Sequence, residues 1–178
     1  AAVSLLNFRI QEGGAVRDEA VPIRNAVIAG WTGRDLDALE KHIRELEELG
    51  IARPASTPIF YRVAASRLTQ ADTIEVSGGE SSGEVEFLLV AHAGRLYVGV
   101  GSDHTDRQVE AYGVTVSKQM CDKPVAPVLW AYDEVRGHWD RLGLRSWIEG
   151  GTEYQSGSVT AMREPLELIE RYAPGGLE

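Results

Sequence analysis

Two glutamates and one aspartate in the middle of the chain have the types and spacing of a metal site. Glu84 and Glu86 are separated by one residue, and a β-strand sends alternate side chains to the same face. Asp103 lies in the polar segment 101–107, which a hairpin returns toward the glutamates. Three carboxylates that converge there suit Mg²⁺ or Mn²⁺, which prefer hard oxygen ligands. The alternative for Glu84 and Glu86 is a solvated strand face without a ligand.

His42 and Glu45 form a second candidate pair. They lie three residues apart in a helical pattern, so their side chains are neighbours on one helix face. A carboxylate beside an imidazole raises its basicity and fixes its tautomer, which is what a general base needs. The alternative is an ordinary exposed helix flank, because charged residues dominate the rest of that surface.

Lys118 is a candidate cation for the same chemistry. It follows the apolar run 114–116 and precedes the loop 121–124, which predicts a position at a strand end facing the metal site. The nearby carboxylates would then compensate its charge, since lysine is seldom buried unless it is paired. The alternative is a solvent-exposed lysine.

Hydrophobic periodicity predicts the helices and strands that must position these residues. A hairpin over residues 83–101, with its turn at 92–94, places Glu84 and Asp103 near the same end. A helix is predicted over 35–49, capped by Asp35 and stopped by Gly50, and another over 164–172. A second helical and loop region is predicted after Pro127. Strands are predicted over 3–10, 21–29, 59–63, 73–76, 84–91 and 95–100.

Composition narrows the classes of function. A chain of 178 residues predicts one domain over residues 1–178. The formal net charge of -9 argues against nucleic acid as a partner, because such binding needs clustered Lys and Arg. The sequence has no apolar stretch long enough to span a membrane, so we expect no membrane partner. Its one cysteine, Cys121, fits a reducing compartment, and we expect a cytoplasmic protein.

Taken in order, the candidate residues resemble the signatures of the fumarylacetoacetase-like superfamily, in a little-characterised prokaryotic branch. Those proteins carry a His-x-x-Glu segment, a Glu-x-Glu strand, an Asp-x-Ser/Thr-x-Arg segment and a downstream lysine before a Pro-containing loop. The resemblance runs from about Gly30 to Pro124. The matching positions are His42 with Glu45, Glu84 with Glu86, Asp103 with Thr105 and Arg107, and Lys118.

The resemblance implies a β-rich α+β fold, a mixed β-sandwich roll with short peripheral helices, in a homodimer. It also implies roles: Glu84, Glu86 and Asp103 bind the ion, and His42 with Glu45 is the acid/base dyad. Lys118 is the catalytic cation near the substrate carbonyl. Thr105 and Arg107 bind the substrate, which is a small carboxylic acid.

The match has two gaps. The family's Gly-Asn-Tyr before the histidine is replaced by Gly30-Trp31 and a longer insertion, and its later Gly-Thr-Pro-x-Gly segment is matched only partly by residues 151–153. Either the family's last C-terminal strands are missing or this branch holds its substrate differently.

The predicted function is a Mg²⁺- or Mn²⁺-dependent hydrolase that cleaves a C–C bond in a 2-oxo or 1,3-dicarbonyl acid such as an acylpyruvate. The alternatives are a hydratase, decarboxylase or tautomerase of the same superfamily, the first two being lyases. A further alternative is a non-catalytic binding protein that keeps the fold.

Overall fold

The protein is a strand-rich α+β fold. Its structure is a computed structural model that describes residues 3–177. Strands hold more residues than helices, which confirms the predicted class. The strands in chain order are β1 (Ser4–Glu12), β2 (Ala15–Ile23), β3 (Ala26–Gly30), β4 (Ile59–Val63), β5 (Leu68–Thr69), β6 (Ser81–Ser82), β7 (Val85–His92), β8 (Arg95–Ser102), β9 (Thr105–Asp106), β10 (Lys123–Pro124), β11 (Val128–Ala131), β12 (Gly143–Trp147) and β13 (Glu153–Ser158).

The α-helices are mostly short. The longest begins where predicted, because the Asp35 carboxylate accepts hydrogen bonds from the backbone N–H groups of Asp37 and Ala38. Only its Ile43 side chain is fully buried. Within the described residues, no helix is both long and apolar enough to cross a membrane. The helices are α1 (Leu36–Glu48), α2 (Arg107–Glu110), α3 (Val114–Gln119), α4 (Tyr132–Val135) and α5 (Pro165–Tyr172).

A five-stranded sheet, in the order β2-β1-β11-β8-β7, organises the fold. The β1–β11 pair is parallel and the other pairs are antiparallel. The predicted hairpin is confirmed as β7–β8, with Ala93 and Gly94 at positive φ in its turn. One face of the sheet packs around Phe8, Leu129 and Val90, and the opposite face packs around Trp139. Both faces are therefore covered, and β7 is an edge strand.

Three predicted elements are wrong. Residues 73–76 form no strand, because the segment is mostly exposed and pairs with no neighbour. The predicted strand 21–29 is two strands, β2 and β3, that break at Arg24-Asn25 and join different sheets. The region after Pro127 contains β11 of the central sheet and the β12–β13 hairpin as well as helical turns. Short apolar runs of this kind do not distinguish a strand from a buried helix by periodicity alone.

Gly101, near the end of β8, lets another strand approach the open end of the β7–β8 hairpin. A Cβ atom at this position would lie 2.8 Å from the carbonyl oxygen of Pro124. Without one, the backbone of Gly101 forms a bridge with Val125, and the Ala126 N–H donates to the Val100 carbonyl at 3.0 Å. This close crossing brings β10, and with it Lys123, beside the end of β8.

Candidate metal centre

The carboxylates of Glu84, Glu86 and Asp103 converge at the open end of the β7–β8 hairpin. One oxygen from each residue lies within 4.8 Å of one from each of the others. Glu86 pairs with Gly101 across the hairpin, and the Asp103 N–H donates to the Glu84 carbonyl at 2.9 Å. The hairpin register thus fixes all three residues, and the convergence predicted from their spacing is confirmed.

Asp103 is the buried centre of the cluster, with 5% of its surface exposed. Its Oδ2 atom pairs with the ammonium of Lys118. Its Oδ1 atom lies 3.1 Å from Lys123 Nζ but accepts no hydrogen bond from any residue that the structure describes. Oδ1 is therefore ion-paired with Lys123 but keeps an acceptor position for a ligand, and a buried carboxylate oxygen without a hydrogen bond is costly.

Lys118 reaches Asp103 from a helix, so its predicted position at a strand end is wrong. It lies in α3, whose fully buried Ser117 hydroxyl donates to the Val114 carbonyl. Residues 114–119 are too few for a helical period to be visible in the sequence. The predicted burial of Lys118 against a carboxylate is nevertheless confirmed.

Thr105 contacts the same lysine. Its side chain has no exposed surface, and its hydroxyl accepts a hydrogen bond from Lys118 Nζ at 3.2 Å. In this arrangement Thr105 orients Lys118 and has no accessible surface to offer a substrate. Its substrate-binding role stays a prediction.

Lys123 is a site residue that the sequence reasoning missed. It is buried, and its ammonium donates to the carbonyl of His104 as well as lying against Asp103. Burial lowers the pKa of Lys123, and the Asp103 carboxylate opposes that effect. The one available signal was its place directly before Pro124, at the start of the Pro-containing loop.

Arg107 is paired with Glu84. Its guanidinium donates to Glu84 Oε1 at 2.8 Å, to Ser82 Oγ at 2.7 Å and to Glu110 Oε2 at 3.0 Å. A substrate carboxylate would have to compete with two glutamates for this arginine. The predicted contact of Arg107 with substrate therefore stays a prediction.

Glu86 forms no salt bridge with a cation among residues 3–177. Burial, followed by the charges of Asp103 and Glu84, raises the pKa of Glu86 from 4.5 to about 8. Glu86 thus keeps its proton at neutral pH in the metal-free cluster, while Arg107 pairs with Glu84 and both Lys118 and Lys123 pair with Asp103.

The raised pKa of Glu86 predicts a pH-dependent stability for the metal-free protein. The folded state keeps a proton on Glu86 that the unfolded chain releases above about pH 4.5. This contribution is complete below pH 4.5, falls as the pH rises and is lost above about pH 8. Glu86→Gln should therefore melt at a higher temperature than the parent at pH 9 but not at pH 5, with about 2–4 °C for each kcal/mol gained.

Thermal melts in a chelator across this pH range measure the effect. Glu45→Gln is the matched control, because the Glu45 side chain is 56% exposed. If the melting temperature of Glu86→Gln differs from that of the parent by the same amount at pH 5 and pH 9, the pKa of Glu86 is not raised.

His42 and Glu45 lie together on α1 but away from this cluster. His42 Nδ1 is 3.6 Å from Glu45 Oε2, too long for a hydrogen bond. Both side chains are more than half exposed, and the His42 ring packs 5.7 Å from the ring of Trp31. Neither residue lines the cavity beside the carboxylates. Their catalytic role, and a position of α1 at the rim of the site, stay predictions.

A cavity of about 500 Å³ opens beside the cluster. Glu86, Asp103 and Lys123 line its polar end, and apolar side chains line most of the remainder. Glu84 and Lys118 are not among its lining residues. The cavity gives a ligand access to the carboxylates from one side.

The donor set fits a hard divalent cation. All three groups offer carboxylate oxygens, and Asp103 Oδ1 has an unused acceptor position in a buried site. Deprotonation of Glu86 would supply a further negative charge. Glu84, Glu86 and Asp103 are thus the residues that would hold such an ion, with Lys118 and Lys123 fixing the orientation of Asp103.

Comparison with known proteins gives a family but no activity. Searches of curated proteins and of solved structures found no match. A family model described as a protein of unknown function, DUF2848, matches residues 29–177, which include all the carboxylates and cations of the site. The chain therefore belongs to the DUF2848 family.

Proposed function

We propose that this protein is a divalent-metal-dependent enzyme that cleaves a C–C bond in a 2-oxo or 1,3-dicarbonyl acid. The observation that carries this function is the cluster of Glu84, Glu86 and Asp103 beside a cavity that Glu86 and Asp103 line, with the buried Asp103 Oδ1 accepting no hydrogen bond from the described residues. Mg²⁺ or Mn²⁺ is the ion that such oxygen ligands favour.

The proposed site divides its tasks between the carboxylates and the lysines. When bound, the ion supplies Lewis acidity toward an oxo oxygen. Lys123 lines the cavity and offers its ammonium to a substrate carboxylate or to the negative charge that develops during reaction. Lys118 pairs with Asp103 and adds positive electrostatic potential to the site. Desolvation in this part-buried site strengthens both electrostatic effects.

We also propose that the fold is related to the fumarylacetoacetase-like superfamily, with its mixed β-sandwich roll. Support comes from the order of the candidate residues along the chain and from the ion pair between Lys118 and Asp103, the aspartate of the proposed ligand set. His42 and Glu45 enter the proposed mechanism as the acid/base dyad through this resemblance alone. Which of hydrolysis, hydration, decarboxylation or tautomerisation follows depends on the substrate.

Metal binding is the first test of this function. Mg²⁺ or Mn²⁺ at one hundred times its Kd should stabilise the folded protein by about 2.7 kcal/mol, because only the native state presents the site. Thermal melts measure this, and the loss of the free Mn²⁺ signal in electron paramagnetic resonance counts the bound ions. Glu86→Gln should weaken binding, and Glu48→Gln, on the exposed end of α1, should not.

Turnover is the second part of the same test. A metal-supplemented screen of acylpyruvates and oxaloacetate, with product analysis, separates C–C hydrolysis from decarboxylation. Absence of both Mn²⁺ binding and turnover would remove the metal-dependent function.

A non-catalytic binding protein is the second candidate function. It is favoured by one observation: three cations already balance the carboxyl groups without an ion. Such a protein would bind a carboxylic acid equally well with or without a divalent ion and would leave every substrate in the screen unchanged.

A further inference from the structure

The cavity beside the carboxylates is much larger than the head group of a 2-oxo acid requires. Its volume is about 500 Å³, against roughly 30 Å³ for one water molecule in the liquid. Successive residues of edge strand β7 line one side, and those of β3 line another. Helix α5 closes it with Leu168, Ile169 and Tyr172. These walls are apolar over most of their length.

One charged residue of the cavity lining, Arg24, follows β2, and the other three lie near the end of β8. Glu86, Asp103 and Lys123 lie there, and Asp103 Oδ1 is the buried acceptor without a hydrogen bond. Along β7 the same strand continues from Glu86 into Leu88 and Val90, both of which belong to the apolar core cluster. A ligand lying along this strand would thus pass from a charged environment into an apolar one.

We propose that the ligand is a 2-oxo acid with an extended apolar tail, whose head binds at the polar end and whose tail lies between β7, β3 and α5. This inference rests on the proposed function, since the head is the group that the metal site would recognise. The tail supplies binding free energy because its burial removes apolar surface from water. The proposed metal ligands fix the direction: the oxo and carboxylate head lies beside Glu86, Asp103 and Lys123, and the tail follows the apolar walls.

A series of straight-chain 2-oxo acids tests the tail. Isothermal titration calorimetry with pyruvate through 2-oxodecanoate, in the presence and absence of Mg²⁺, measures affinity as a function of chain length. Each added methylene should tighten binding about fourfold until the cavity is filled. Ile169→Glu places a charge at the apolar wall and should weaken the binding of 2-oxodecanoate about tenfold or more while leaving pyruvate unchanged.

Leu166→Glu is the matched control. It lies on the same helix, is 44% exposed and does not line the cavity. It should leave the affinity for every chain length unchanged. A circular-dichroism melt of both variants separates loss of the fold from loss of the tail site.

The outcomes separate this inference from the function on which it rests. If binding depends on Mg²⁺ but is equally tight for pyruvate and 2-oxodecanoate, the proposed tail site is wrong and the proposed function is retained. If binding tightens with chain length but does not depend on Mg²⁺, the tail site is supported and the metal-dependent recognition of the head is wrong. If no 2-oxo acid binds at any length, both are overturned, and a polypeptide strand added between β3 and β7 becomes the better occupant.

Discussion

Replacing Asp103 by Asn should be the most damaging single change in the site. The variant keeps the shape of the side chain but leaves Lys118 and Lys123 buried with no carboxylate between them. Removing one partner of a buried ion pair costs about 3–5 kcal/mol, because the remaining charge is left uncompensated. We therefore expect the metal-free variant to lose free energy of unfolding by about that amount, measured by urea denaturation.

Asp103→Asn should also abolish Mn²⁺ binding, because it removes the buried ligand. The matched control is Asp140→Asn, since Asp140 pairs with Arg34 at 3.1 Å but is 61% exposed. An exposed pair of this kind is worth about 0–1 kcal/mol. Adding Lys118→Met to Asp103→Asn should recover part of the lost stability. If Asp103→Asn is no worse than Asp140→Asn, the two lysines do not depend on this carboxylate.

Replacing Lys118 by Met should separate turnover from metal binding. The ammonium pairs with Asp103 and donates to Thr105, so its loss removes positive potential from the site while the three carboxylates remain. We expect turnover of a confirmed substrate to fall by about 10²-fold or more, as when one preorganised donor is removed from an active site. Mn²⁺ affinity should stay equal or rise, because a competing cation has gone.

Steady-state kinetics and Mn²⁺ titrations of the same Lys118→Met preparation measure both quantities. Lys41→Met is the control, because Lys41 is 80% exposed and its nearest carboxylate is 4.0 Å away. Turnover that matches the parent would remove Lys118 from the mechanism. If turnover and metal affinity fall together, the role of Lys118 is to hold the Asp103 carboxylate in position.

The two lysines show why the metal-free cluster is stable. Lys118 comes from α3 and Lys123 from β10, and each places its ammonium on a different oxygen of Asp103. Glu86 pairs with no cation in the part of the chain that the structure describes, and it keeps its proton near neutral pH, as its pKa of about 8 indicates. Metal binding should therefore release a proton from Glu86, because a ligating carboxylate must be ionised.

The parts of the fold that follow from local patterns were predicted well. Helix α1 has an apolar period and an Asp35 cap, and the β7–β8 hairpin has two alternating runs around a turn at Ala93-Gly94. Each signal lies within one helix or one hairpin, so it can be read without knowledge of distant contacts. Short segments were predicted badly, as with residues 73–76 and α3, because four to six residues do not define a period.

The sequence by itself determined that Glu84, Glu86 and Asp103 come together. Strand alternation puts the glutamates on one face, and a tight hairpin returns the aspartate to them, so both steps are local and independent of the rest of the chain.

Only the tertiary structure decided what surrounds those carboxylates. The close crossing at Gly101 brings Lys123 to Asp103, and residues of β3, β7 and α5 together line the largely apolar cavity. The same packing leaves His42 outside the cavity lining. These contacts join segments distant in sequence, and they depend on side-chain packing between whole elements, which no local pattern of residue types encodes.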